Sequence, residues 1–172
     1  MDKNRFELLY KQEDIDEGLW RLSDQIKIDY ENKDLVLLSV LKGAVIFTTD
    51  LIKKIEPFSY SLDFCRCSSY REQEKGEFKL ELPQSSYSDN HILILDDIHD
   101  TGETIEKIHN ELEKRNPLSI KSAVVINRLV SNKPSTPDYR LIDHEGDDWF
   151  VGYGMDLNER YRGLFDIYRL IK

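Results

Sequence analysis

Between Asp14 and Ile28, apolar side chains fall at Ile15, Leu19, Leu22 and Ile26. That four-three-four spacing gathers them on one stripe and predicts an amphipathic helix. The run Leu35–Val40 follows, apolar apart from Ser39 and partly β-branched, and it predicts a short buried strand ended by Lys42-Gly43. Ala44–Ile55 predicts a second helix with Ile46, Phe47, Leu51, Ile52 and Ile55 inward, closed by Pro57. From Phe58 to Cys65 apolar and polar residues alternate, the period of a strand.

Residues 68–90 change character: they are polar, contain Gly76 and Pro83, and hold one alternating patch at Phe78, Leu80 and Leu82. They predict a long mobile loop or hairpin, and loops of that length in compact domains are usually functional or disordered. His91–Leu95 predicts the most buried strand, Gly102–Lys114 a helix with Ile105, Ile108 and Leu112 on one face, and Ile120–Ile126 another buried strand. Short strands are predicted at Tyr139–Ile142, Phe150–Met155 and Leu164–Ile171. The central alternation of strands and helices predicts an α/β fold with a mostly parallel sheet flanked by helices. Ligands of such sheets sit beyond the carboxyl ends of the strands, so chemistry is expected just after Val40, Leu95 and Ile126.

The chain has 172 residues, 40% hydrophobic and 33% charged, which suits a single globular domain with one sizeable core. Its 33 acidic against 24 basic residues give a net charge of -9. Without a basic run, that balance argues against nucleic acid as a partner. It decides nothing for small phosphates, which respond to local arrangement. No apolar run suits a signal peptide or could span a bilayer, so a cytoplasmic protein with no membrane partner is expected. Cys65 and Cys67 are expected to be incidental thiols in a reducing compartment.

The informative stretch is the strand His91–Leu95 followed by Asp96, Asp97, Ile98, His99, Asp100, Thr101, Gly102, Glu103 and Thr104. Amides and hydroxyls at a helix N-terminus cradle phosphate, and Gly102 lets the backbone approach closely. Paired carboxylates hold sugar hydroxyls or magnesium, which prefers oxygen ligands. Asp100 stands between cradle and strand, placed for proton exchange with whatever the sugar carries.

This stretch resembles the phosphoribosyl-pyrophosphate signature of the type I phosphoribosyltransferases. Three further segments are similar to the hypoxanthine-guanine branch of that family: Leu38–Ala44, the pair Ser69-Tyr70, and Trp149–Arg162 with its VGYGMD core. The match is collinear over about residues 35–170. The resemblance implies one phosphoribosyltransferase domain over 1–172, with a core of about 30–130. A small hood would come from the N-terminal segment and about 138–172, and a mobile loop would span about 68–90. It implies transfer of phosphoribose from phosphoribosyl pyrophosphate to a 6-oxopurine, in purine salvage, by a magnesium-dependent homodimer or homotetramer.

Carried over position by position, Asp96 and Asp97 would hold the ribose and magnesium, with Asp156 as a further metal ligand. Asp100 would handle the proton of the purine's five-membered ring. Thr101, Gly102, Glu103 and Thr104 would cradle the 5'-phosphate, while Lys42, Gly43 and Arg162 would receive pyrophosphate. Ser69 and Tyr70 would close over the site. Ile98, Trp149, Phe150 and Asp156 would surround the base, with an aromatic ring stacked on it and the backbone of Phe150 reading its edge. The resemblance also implies a cis peptide before Lys42.

One departure bears on specificity. The family places a lysine at the end of the strand Ser122–Ile126, where it meets the 6-oxo group of the base. Here Asn127 falls at that place, with Arg128 next. An amide either donates or accepts, whereas lysine only donates. A different base preference is therefore one alternative, and a sensor of phosphoribosyl pyrophosphate without catalysis is another. Glu103 is also unusual beside a phosphate, unless only its backbone amide faces the ligand.

Overall fold

The computed structural model describes residues 5–69, 78–131 and 133–171. Three helices form: α1 (Gln12–Asp29), α2 (Val45–Ile55) and α3 (Glu103–Glu113). The main-sheet strands are β2 (Leu35–Leu41), β3 (Ser61–Ser69), β4 (Phe78–Glu81), β5 (His91–His99), β6 (Ser119–Arg128) and β7 (Tyr139–His144). They lie in the order β4-β3-β2-β5-β6-β7, all parallel except β4. A second, antiparallel sheet joins β1 (Phe6–Tyr10), β9 (Ile167–Leu170) and β8 (Phe150–Val151), drawing both ends of the chain together.

Burial on both faces explains why the central strands read as continuous apolar runs. On one face Leu35, Leu37, Leu93, Leu95, Ala123 and Val125 meet Ile15, Leu19, Leu22 and Ile26 of α1 and Phe47, Leu51 and Ile55 of α2. On the other, Val36, Leu38, Val40, Ile92, Ile94 and Val124 pack under Ile105, Ile108 and Leu112 of α3. Each fully buried aliphatic side chain contributes about 1.5–3 kcal/mol. The small sheet adds Phe150, Tyr153, Met155 and Ile167 to the first core, closing the domain at the end where β2, β5 and β6 terminate.

Several expected boundaries change. β1 has no counterpart in the sequence reading, because only Phe6 of its five residues is buried. The chain from 138, assigned to the hood, begins instead with β7, the sixth strand of the main sheet. β8 stops at Val151 because Gly152, Tyr153 and Gly154 have positive φ, and the chain turns. In the segment 68–90, β4 pairs with β3 from Ser69↔Phe78 to Arg66↔Glu81. The return that follows is anchored by Tyr87, which is 1% exposed and donates to Asp63 Oδ2 at 2.9 Å. In β3 the inward face is Cys65, not the aromatic alternation: Leu62 and Phe64 are exposed.

Candidate functional site

The chain leaves β2 toward β3 on one side and β5 toward β6 on the other. The crevice at such a switch point is where open α/β sheets bind ligands, and two adjoining cavities lie there. One, of about 260 Å³, is lined by Gly43, Asp96, Asp97, Asp100, Thr101, Gly102, Thr104 and Arg162, with Cys67 on its wall. The second, of about 180 Å³, is lined by Asp97, Ile98, Asp100, Arg128, Asp148, Trp149, Phe150, Met155 and Asp156. Asp97, Ile98 and Asp100 border both.

Gly102 adopts φ +87° as N-cap of α3, a conformation that costs glycine little. Glu103 turns away along the helix toward Lys107, 3.5 Å from its Nζ, and does not line the cavity. Its side chain therefore stays off the cradle.

Asp96 and Asp97 sit at the floor. Burial pushes the Asp96 carboxyl well above the usual carboxylate range, and Asp97 beside it adds to the effect. Burial also raises Asp97, opposed by the positive charge of Arg162 among others. Asp96 Oδ1 accepts from the Asp97 amide and Asp97 Oδ1 from the Ile98 amide, each at 2.9 Å. Among the described residues neither carboxylate has an ion-pair partner. Two hard-oxygen donors lacking a counter-cation fit magnesium. Among the described residues no group of three metal-ligating side chains occurs, so such an ion would complete its shell with substrate and water oxygens.

The turn after β2 is fixed by close backbone packing. The Leu41–Lys42 peptide is cis, as the resemblance implies. A Cβ on Gly43 would lie 2.0 Å from Asp97 Oδ2, and one on Gly154 would lie 2.0 Å from the Gly43 carbonyl oxygen. Arg162 donates to the Gly154 carbonyl at 2.8 Å and pairs with Asp156 at 2.8 Å. Lys42 stands at the rim, bonded to Glu159 at 3.0 Å.

At the second cavity the rings divide their positions. Trp149 is half exposed, its indole N–H donating to the Asp156 carbonyl at 3.1 Å. The Phe150 ring is buried, with the Arg128 guanidinium 4.9 Å over its centroid and His144 edge-on at 4.7 Å. Arg128 is itself buried. It donates to the carbonyls of Gly146 and, at 2.8 Å, Asp148. Its Nε lies 2.7 Å from Asp100 Oδ1, an ion pair that ties the guanidinium to the carboxylate bordering both cavities.

Asn127, expected at the base, is turned away. Its amide donates to Asp143 at 2.7 Å and accepts from Lys133 at 3.1 Å, while Lys133 also donates to the His99 carbonyl at 2.9 Å. The physical reason is a break in the alternation of sides, not in the pairing. β5 and β6 keep one register from His91↔Ser119 to His99↔Asn127, yet the neighbours Val125 and Ile126 both join the first core, as Leu95 does, with Ile98 packed against it. Strict alternation would have put Asn127 on that side; the break puts Arg128 there.

Ser69 ends β3, and Tyr70 lies outside the described residues. Residues without an earlier signal also border the site: Cys67, Asp148, Met155 and, at the rim, Glu159.

A model of the phosphoribosyl transferase domain matches residues 7–158. The hypoxanthine-guanine-xanthine phosphoribosyltransferase of Tritrichomonas foetus is 32% identical over 163 residues, covering 91% of this chain and 87% of its own. The hypoxanthine-guanine phosphoribosyltransferase of Staphylococcus aureus strain N315 is 32% identical over 161 residues, covering 92% and 89%. The solved hypoxanthine phosphoribosyltransferase of S. aureus has a TM-score of 0.86 at 34% identity over 96% of this chain and 91% of that one. The Trypanosoma cruzi hypoxanthine phosphoribosyltransferase in complex with the product IMP has a TM-score of 0.88 at 28% identity, over 99% and 97%. The parallel sheet, the carboxylate pair above a helix N-terminus and these likenesses converge: the chain belongs to the phosphoribosyl transferase domain family and has the type I fold.

Proposed function

We propose that this chain transfers the 5-phosphoribosyl group from phosphoribosyl pyrophosphate to a 6-oxopurine, hypoxanthine foremost, giving the nucleotide and pyrophosphate in purine salvage. The observation that carries the reading is Asp100. It borders both cavities, one built for phosphates and sugar and the other for a flat base. The named activities of the relatives support it.

In this reading the α3 amides, Thr101 and Thr104 take the 5'-phosphate. Asp96 and Asp97 hold the ribose hydroxyls and, with Asp156, the magnesium. When bound, the metal neutralises the phosphates and eases departure of pyrophosphate. Lys42, the Gly43 backbone and Arg162 stabilise that leaving anion. Asp100 accepts the proton that leaves the purine's five-membered ring as the base attacks the sugar. Trp149 stacks on the base, and the Phe150 backbone meets its edge. Arg128, which lines the second cavity and pairs with Asp100, supplies the cationic donor for the 6-oxo group. The role the resemblance implies for Ser69 and Tyr70, excluding water from the cationic sugar, belongs to the same reading.

The test incubates purified protein with magnesium, phosphoribosyl pyrophosphate and a purine panel. IMP from hypoxanthine is expected. No nucleotide from any base overturns the enzyme reading, and turnover of aminopurines alone overturns the base assignment.

A further inference from the structure

Glu159 has no role in the reading above, yet its carboxylate lies between the two cations assigned to pyrophosphate. A single oxygen, Oε2, is 3.0 Å from Lys42 Nζ and 3.3 Å from Arg162 Nη2. The side chain is held there by its backbone. Asn158 and Glu159 have φ of 52° and 62°, in the left-handed region, and the Glu159 amide donates to Asp156 Oδ2 at 2.8 Å. Leu157 and Arg160 close the turn with reciprocal bonds at 3.1 Å.

The charge balance follows from the same contacts. Lys42 and Arg162 supply two positive charges; Asp156 and Glu159 cancel them. Arg162 is anchored without Glu159, through the Gly154 carbonyl and Asp156. Lys42 is not: it leans on Glu159, and both side chains are more than half exposed, at 53% and 64%. An exposed pair of this kind is weak and opens readily. The Glu159 carboxyl is held below its ordinary range, first by the hydrogen bond from Lys42 and then by that from Arg162. It is therefore an anion at neutral pH.

We propose that Glu159 is a built-in competitor of pyrophosphate: it holds Lys42 in the free protein, yields it to the incoming diphosphate, and takes it back as the product leaves. This rests on the assignment of Lys42 and Arg162 to the leaving group. Glu159 is a positioning residue, acting through Lys42 rather than on the reacting atoms. Its carboxylate sets how tightly the diphosphate is retained, at the expense of tight initial binding.

The experiment compares wild type, Glu159→Gln and Glu159→Ala by product inhibition with pyrophosphate and by the separate KM values for phosphoribosyl pyrophosphate and hypoxanthine. Both variants should lower the pyrophosphate inhibition constant and the phosphoribosyl-pyrophosphate KM by about two- to fivefold, the range an exposed pair supports. The KM for hypoxanthine should not move, and the gain should shrink with added salt. A merely structural Glu159 would raise both KM values instead, and unchanged or weaker pyrophosphate inhibition overturns the proposal. Lys42→Ala and Arg162→Ala separate the two layers. If they weaken pyrophosphate inhibition while Glu159→Gln does nothing, the competitor idea alone fails. If they leave it unchanged, the pyrophosphate assignment fails first.

Discussion

In the proposed reading base recognition turns on Arg128, and Arg128→Gln tests it. The guanidinium is buried in the wall of the second cavity, with two of its N–H groups given to the Gly146 and Asp148 carbonyls and its Nε paired with Asp100 at 2.7 Å. A hydrogen bond from a charged donor is worth about 1.5–3 kcal/mol. Its loss to a 6-oxo group therefore lowers kcat/KM for hypoxanthine by roughly 10- to 150-fold, at 1.4 kcal/mol per factor of ten. The same variant should leave the phosphoribosyl-pyrophosphate KM nearly unchanged, because Arg128 does not line that cavity. Discrimination between hypoxanthine and a purine lacking the oxo group should fall by a similar factor. Steady-state kinetics with both bases, alongside thermal unfolding to establish that the variant is folded, reads all three quantities. A folded Arg128→Gln protein with undiminished hypoxanthine kcat/KM would refute the reasoning. Asn127→Lys is the companion control: it puts a second ammonium beside Lys133, so it should lower Tm and leave base selectivity alone.

Asp100→Asn should cut kcat by about 10²–10⁴, the usual worth of general acid–base catalysis, with little change in phosphoribosyl-pyrophosphate binding; an unchanged kcat removes its proton role. Asp96→Asn removes a buried charge whose carboxyl pKa is raised, so Tm at pH 7 should rise, by roughly 2–4 °C per kcal/mol in a chain this size, while magnesium-dependent turnover is lost. The sign in pH follows from the same shift. Asp96 binds its proton more tightly folded than unfolded, so acidification through its folded pKa favours the fold, yet it removes the carboxylate that the metal needs. The phosphoribosyl-pyrophosphate KM should accordingly begin to rise at a pH above the ordinary carboxylate range; titration only near pH 4 would contradict this.

The elements that sequence made legible are those whose periodicity meets a continuous core: α1, with its stripe at Ile15, Leu19, Leu22 and Ile26, and the strands β2, β5 and β6. The phosphate cradle was legible because capping and carboxylate chemistry are local, set by residues adjacent in the chain. What escaped depends on distant partners. β1 forms because β9 arrives from the other end to pair with it, and no pattern within FELLY carries that information. Asn127 and Arg128 exchange sides because the alternation of β6 breaks between Val125 and Ile126, which both face the first core while the pairing with β5 keeps its register. Glu159 was passed over because its importance lies in meeting Lys42, 117 positions away.

The contact between Gly43 and Gly154 has a mechanical consequence. A methyl group on Gly154 would strike the Gly43 carbonyl, and one on Gly43 would strike the Asp97 carboxylate, so the turn after β2 is wedged between the turn after β8 and the end of β5. The first turn carries Lys42 and Gly43, proposed for the leaving group, and the second leads through the segment to Arg162, proposed to frame the base. In the proposed reading these are the seats of the two reactants, and a shift of one turn would press on the other through hard contact, without any hinge.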